Sequence, residues 1–232
     1  MGNITEINLF ATLSAASAQR YASALSWRTY GENELVVDID DTSDDVLFVI
    51  SGKVRIVHRA EIGKEVILGD RGPGTYFGEM AAIDGLARSA NVTALQTSQI
   101  ATMPAATFLE LLTHEPDVCK TVLRGLVGGM RSLTRKLSEH AYLTAVERLY
   151  CELLRLSRPR MGHDAQRSIS PPPTQQELAE RIGSRREVVS RAIAALEKDG
   201  LIERTRGALV LPDPGALNQM ISQKGLPVEL DQ

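Results

Sequence analysis

The chain has 232 residues, 43% hydrophobic and 24% charged, with a formal net charge of -3; these proportions belong to a folded globular protein and exclude a disordered one. No run approaches the roughly eighteen apolar residues of a membrane span, and Met1–Glu6 lacks the basic-then-apolar order of a signal peptide, so a cytoplasmic location is expected. Cys119 and Cys151 are far apart and have no nearby histidines, which fits buried free thiols and gives no zinc or iron–sulfur spacing.

Charge is uneven along the chain. Met1–Tyr150 carries 14 basic and 18 acidic side chains, and Cys151–Gln232 carries 12 and 11. A modest local basic excess on an acidic protein suits a partner engaged in one place.

An amphipathic helix is expected from about Ala15 to Leu25. From Glu34 to about Thr102 the sequence reads as short strands: Leu35–Val37, Val46–Ile50, Val54–Val57 and Val66–Leu68. Asp40-Asp41, Ser51–Lys53, Glu61–Lys64 and Gly69–Gly74 separate them as turns. Many short strands without long helices between them predict an antiparallel sandwich or roll.

Within that stretch, Tyr76–Val92 has a glycine turn, a short apolar element, a second glycine, and then Arg88-Ser89 entering a strand. Arg88 can pair with the phosphate of a cyclic sugar phosphate, and Glu79 can accept from the ribose 2′-hydroxyl. Ser89 can donate to a phosphate oxygen, and the main-chain N–H groups of Gly78, Glu79 and Met80 can complete an anion-binding turn. A plain Glu79–Arg88 salt bridge that steadies a loop explains the same residues equally well.

After Met103-Pro104 the character becomes helical. Pro116-Asp117 opens an apolar series through Val118, Val122, Leu126, Met130, Leu133, Leu137 and Tyr142. Such a length predicts a helix exposed along part of its surface or paired with a copy of itself. The glycines at 125, 128 and 129 weaken its continuity but allow close approach. A second helix is expected over about Ala145–Leu156, followed by a boundary loop from Ser157 to the proline run Pro171–Pro173.

Thr174 and Glu177 form a capping-box pattern at the start of a helix that Gly183 ends. A second helix, from about Ser184 or Arg185 to Lys198, is expected to turn Val188, Ala192, Ile193 and Leu196 toward a core. Leu201–Arg204 and Ala208–Leu211 flank Thr205-Arg206-Gly207 as a hairpin wing. A short turn that holds one helix proud of another lets its first residues reach base edges. Arginine matches guanine O6 and N7, and glutamate accepts from cytosine N4, so Arg186, Glu187 and Arg191 are the candidate base readers. Thr174, Arg185, Ser190 and Arg206 are the candidate phosphate contacts.

The segment Thr174–Arg191 closely resembles the helix-turn-helix of bacterial cyclic-AMP receptor proteins and the wider Crp/Fnr family. Phe77-Gly78-Glu79 through Arg88-Ser89-Ala90 resembles the phosphate-binding cassette of cyclic-nucleotide-binding domains, and the likeness extends over almost the whole chain. It implies an α+β fold in three parts: a cyclic-nucleotide-binding antiparallel β-roll over 1–115, a dimerisation helix over 116–144, and a winged helix-turn-helix DNA-binding domain over 145–232.

The resemblance further implies a homodimeric transcription regulator. Its allosteric ligand is cyclic AMP or cyclic GMP, its operator is partly palindromic, and RNA polymerase is a possible partner. Aligned on Ala141-Tyr142-Leu143, Leu133 and Thr134 fall at the purine-facing positions. Leu133 departs from the adjacent hydroxyl residues of well-known cyclic-AMP receptors, and Ser89 could reach guanine N2 of a syn base, so cyclic GMP stands as a second ligand. The other readings are a regulator with a different effector or none, and, remotely, a cyclic-nucleotide-processing enzyme. His58, His114, His140 and His163 show no arrangement suited to haem.

Overall fold

A computed structural model describes residues 7–59, 65–223 and 228. The turn expected at 61–64 and residues 1–6 lie outside the described residues. The fold is α+β and divides into two compact units, Met1–Met130 and Arg131–Gln232.

The first unit begins with α1, Ala15–Ala22, whose Ser14 cap accepts from the Ser17 N–H at 3.1 Å. Strands β1 (Ser26–Tyr30), β2 (Leu35–Val37), β3 (Val46–Ser51), β4 (Val54–Arg59), β5 (Glu65–Arg71) and β6 (Tyr76–Phe77) follow. A short helix α2 (Glu79–Asp84), β7 (Asn91–Ala94), β8 (Ser98–Met103) and α3 (Ala105–His114) complete it up to α4 (Pro116–Tyr142), inside which the two units divide. The strands form two antiparallel four-stranded sheets, ordered β1-β8-β3-β6 and β2-β7-β4-β5.

The uninterrupted apolar run of β3 has a specific cause. Because strand side chains alternate between faces, Leu47 and Val49 pack with Val37, Val54, Val92 and Ile100 between the sheets. Val46, Phe48 and Ile50 turn the other way, into a second core with Phe10, Tyr21, Phe108, Leu111, Val118 and Val122. Both faces are dry, so neither can be polar. The helix expected to reach about Leu25 ends at Ala22, and the strand β1 that follows was not expected; it lies at the edge of its sheet with three exposed positions of five, which hides its alternation.

The second unit contains α5 (Ala145–Leu156), β9 (Arg158–Arg160), β10 (His163–Ile169), α6 (Gln175–Ile182), α7 (Arg186–Lys198), β11 (Glu203–Arg204), β12 (Leu209–Leu211) and α8 (Pro214–Ser222). Its sheet runs β11-β12-β10-β9. The expected loop over 157–173 is therefore corrected to a hairpin for most of its length, with Ser157 and Ser170–Pro173 irregular at its two ends. The strands are polar rather than apolar: the guanidinium of Arg167, itself buried, donates to the Ser157 side chain and carbonyl, both at 2.9 Å. In α7 the core position is Val189, fully buried, with Ala192, Ile193 and Leu196; Val188 is half-buried, a correction of one residue in the helical phase.

Charges are buried in this unit as well. Arg155 on α5 makes a bidentate pair with Glu139 near the end of α4, at 2.6 and 3.0 Å, and donates to Glu152 at 3.0 and 3.1 Å. Glu139 and Glu152 are 3% and 4% exposed. Burial opposes the Arg155 charge, but the hydrogen bonds and charges of the two carboxylates outweigh it and hold the guanidinium more firmly protonated than usual.

Candidate functional site

In the first unit, pairing of β6 with β3 brings Phe77 opposite Leu47, and the chain then turns at Gly78 into α2. Gly78 has φ 86°, and a Cβ there would lie 2.6 Å from Arg88 Nη1 and 2.8 Å from the Asp45 carbonyl oxygen. Only glycine fits both the left-handed backbone and the space. Gly85 ends α2 with φ 69°, its N–H on the Ala81 carbonyl at 2.9 Å, and the chain returns through Arg88 into β7.

Arg88 is 5% exposed. Its Nη2 donates to Ser43 Oγ and to the Asp45 carbonyl, both at 2.9 Å, and its Nη1 donates to the Gly78 carbonyl at 3.3 Å. Its Nε is buried without a hydrogen-bond partner among the described residues. Burial pulls its pKa down, offset in part by the carboxylates of Asp41, Asp45, Asp44 and Glu79. Its hydrogen bonds among the described residues all run to neutral oxygens, so the loop-steadying Glu79–Arg88 bridge is not formed.

Glu79, half-buried at the first turn of α2, has its pKa raised by burial, against the pull of its own main-chain N–H, Arg71 and Arg88. Ser89 is exposed, with its Oγ 4.0 Å from the sulfur of Met80. The structure thus gathers Gly78, Glu79, Met80, Arg88 and Ser89 at one corner of the roll. Leu133 and Thr134 lie on α4 in the other unit, both exposed, Leu133 at 63%.

In the second unit, Thr174 caps α6: Glu177 N–H donates to Thr174 Oγ1 at 3.1 Å, and the Glu177 carboxylate accepts from the Thr174 N–H at 2.7 Å. Gly183, at φ 61°, ends that helix, and α7 starts two residues after Ser184. Arg186, Glu187, Ser190 and Arg191 fall on one stripe of α7 and line a groove of about 520 Å³ together with Gln175. A second groove, of about 460 Å³, runs from Thr174 and Gln175 past Arg186 to Arg204 and Thr205 on the wing. Arg185, the N-cap of α7, and Arg206, at the wing turn, are exposed and line neither groove.

Sequence reasoning missed Gln175, which lines both grooves and was legible as the residue after the N-cap. It also missed Ser43, distant in sequence and unmarked by any local pattern. Cys151 is fully buried and its thiol is pushed up to about 12 by burial, which makes it inert; Cys119 is half-buried, less enclosed than expected.

Residues 27–115 match the cyclic nucleotide-binding domain, and residues 147–220 match the Crp-like helix-turn-helix domain. The chain is similar to the cAMP-activated global transcriptional regulator CRP of Haemophilus influenzae, 26% identical over 207 residues that make up 86% of this chain and 92% of that one. It is also similar to the cyclic AMP receptor protein of Thermus thermophilus, 27% identical over 212 residues, 91% and 95% of the two chains. Among solved structures, the c-di-GMP responsive global regulator CLP of Xanthomonas campestris superimposes with a TM-score of 0.72 at 26% identity, over 85% of this chain and 99% of that one.

A roll carrying a phosphate-type cassette and a winged helix-turn-helix define a cyclic-nucleotide-binding, DNA-binding transcription regulator. The chain belongs to the Crp/Fnr family.

Proposed function

We propose that this protein is a homodimer whose affinity for a partly palindromic operator is set by cyclic AMP or cyclic GMP. Arg88 and Ser89 take the ligand phosphate, Glu79 accepts from the ribose 2′-hydroxyl, and the main chain at Gly78–Met80 closes around the anion. Thr134 and Leu133 meet the purine. Arg186, Glu187 and Arg191 read bases, while Thr174, Arg185, Ser190 and Arg206 hold phosphates. The role is binding: an arginine and a carboxylate that clamp a sugar phosphate supply no nucleophile–base pair for its hydrolysis.

The observation that carries this reading is Arg88, a buried cation whose hydrogen bonds run only to neutral oxygens among the described residues. A buried charge in that condition is costly unless an anion joins it. Support for the dimer comes from α4, where Leu123, Val127, Met130, Leu133, Leu137 and Tyr142 recur at helical spacing and are 49–72% exposed. An apolar stripe of that length on one helix favours pairing with its copy. One finding favours a different effector as a second reading: CLP, similar at 26% identity, is described as responsive to c-di-GMP.

The test is selection of DNA from random duplexes with the purified protein in the presence of cyclic AMP, cyclic GMP or c-di-GMP, followed by affinity measurement on the winning sequence. The expected result is tighter binding with a cyclic mononucleotide to half-sites about one helical turn apart, roughly 10 base pairs. A response to c-di-GMP alone selects the second reading, and equal affinity with and without every nucleotide rejects ligand control.

A further inference from the structure

The cassette arginine does not reach its position by itself. It is held from the β2–β3 loop, by a residue that lies 45 positions earlier in the chain. In that loop the Asp41 carboxylate accepts from the Ser43 main-chain N–H at 2.9 Å and from Ser43 Oγ at 3.1 Å. The second bond commits the hydroxyl hydrogen to Asp41, so that the oxygen lone pairs of Ser43 face Arg88 Nη2 at 2.9 Å. A serine hydroxyl rotates freely unless something fixes its hydrogen, and a rotor pointed the wrong way would present a donor to a donor.

We propose that Ser43, oriented by Asp41, is a positioning residue for the anion-binding guanidinium of Arg88, and that it thereby sets how the ligand phosphate is gripped. Ser43 and the Asp45 carbonyl occupy Nη2, and the Gly78 carbonyl takes one hydrogen of Nη1. Together they fix the plane of the fork and leave the Nε–H and the other Nη1–H unpaired among the described residues. A neutral hydroxyl suits this task better than a carboxylate in the same place. An acidic side chain bonded to Nη2 would neutralise the cation and compete with the incoming anion, whereas a hydroxyl steers the group and keeps its charge available.

The inference rests on the proposed binding of a cyclic nucleotide at Arg88, and the experiment separates the two. Full-length protein and its Ser43→Ala and Ser43→Thr variants are titrated by calorimetry with cyclic AMP, cyclic GMP and the two phosphorothioate diastereomers of each. In a diastereomer pair, sulfur replaces one or the other exocyclic phosphate oxygen, so the ratio of the two affinities reports where the guanidinium points. Ser43→Ala is expected to weaken the parent nucleotide about tenfold, the scale of one hydrogen bond to a charged group. It should also move the diastereomer ratio toward unity with an unchanged melting temperature, and Ser43→Thr should restore affinity and ratio. A loop that only became less stable would lower all affinities together and keep the ratio.

If wild-type protein binds and Ser43→Ala matches it in affinity and ratio, the positioning role is overturned and the site stands. If wild-type protein binds neither cyclic mononucleotide, the proposed ligand itself fails and this inference falls with it. Should Ser43→Ala melt early, Asp41→Ala, which frees the hydroxyl rotor and leaves Ser43 in place, must shift the diastereomer ratio in the same direction; an unchanged ratio there overturns the proposal.

Discussion

Arg88, which is buried, and Arg155, which is half-buried, have opposite surroundings. Arg155 sits between Glu139 and Glu152, with bidentate geometry, and its protonation is reinforced. Arg88 sits among carbonyls and a serine hydroxyl, with its Nε unpartnered among the described residues and its protonation weakened by burial. The first has its counter-charge built in and can only serve the architecture of its unit. The second is held in place with no carboxylate bonded to it among the described residues, since Asp41, Asp44, Asp45 and Glu79 act on it only across space, which leaves its Nε–H open to a binding anion. Burial alone does not tell these two arginines apart; the charge of the acceptors bonded to each one does.

The comparison breaks most visibly at Arg155. Replacing it by alanine takes the bidentate partner from the buried Glu139 and leaves the buried Glu152 to its 3.7 Å pairing with Arg181, a loss of about 3–5 kcal/mol in the stability of the second unit. Chemical denaturation of the variant should show that loss while nucleotide affinity of the still-folded roll stays within about twofold, a change under ~0.5 kcal/mol. A loss no larger than that of an exposed salt bridge, below about 1 kcal/mol, would place Arg155 and Arg88 in the same class after all.

The DNA-binding face offers the next largest effect. Arg186→Ala and Arg191→Ala should each weaken preferred DNA by about 1–3 kcal/mol more than unrelated DNA. Arg206→Ala should weaken both equally and reduce the salt dependence by about one counterion. Equal losses on both sequences for Arg186 or Arg191 would make it a phosphate contact. Below these comes Thr174→Ala, which removes the cap of α6 and costs about 1 kcal/mol of stability; thermal melting would show it, and an unchanged midpoint would mean that the capping box is dispensable.

The smallest effect is in pH. Burial raises the Glu79 pKa above its ordinary 4.5. A ribose hydroxyl donating to the carboxylate favours its ionised form, so the pKa of the bound state lies below that of the free protein. Affinity is then complete above the free-protein pKa and falls as pH drops through it toward the bound value. Titrations at successively lower pH should show that decline in wild-type protein and its absence in Glu79→Gln. A flat wild-type profile would remove Glu79 from the ribose.

Much of this was legible in the sequence where one physical rule dominated. Dry packing on both faces of β3 left an unbroken apolar run, and the capping box and Gly183 bracketed α6. Where two rules competed, the sequence was silent. The strand β1 is an edge with a largely wet surface, and the hairpin β9–β10 is held by buried arginine–serine hydrogen bonds, so neither shows apolar alternation. The phase of α7 was misjudged by one residue because Val188 and Val189 are adjacent and only packing distinguishes them. Glu79 and Arg88 stood out because they share a local frame, whereas Ser43 reaches the same guanidinium through the tertiary fold alone.

The central claim is that Arg88 is the anchor for an anionic ligand. Calorimetric titration of wild-type protein and Arg88→Gln with cyclic AMP and cyclic GMP tests it most directly. The account predicts binding by wild-type protein, a loss of two orders of magnitude or about 3 kcal/mol in the variant, and melting temperatures that agree closely. Equal nucleotide affinity in the two proteins, each correctly folded, would contradict it.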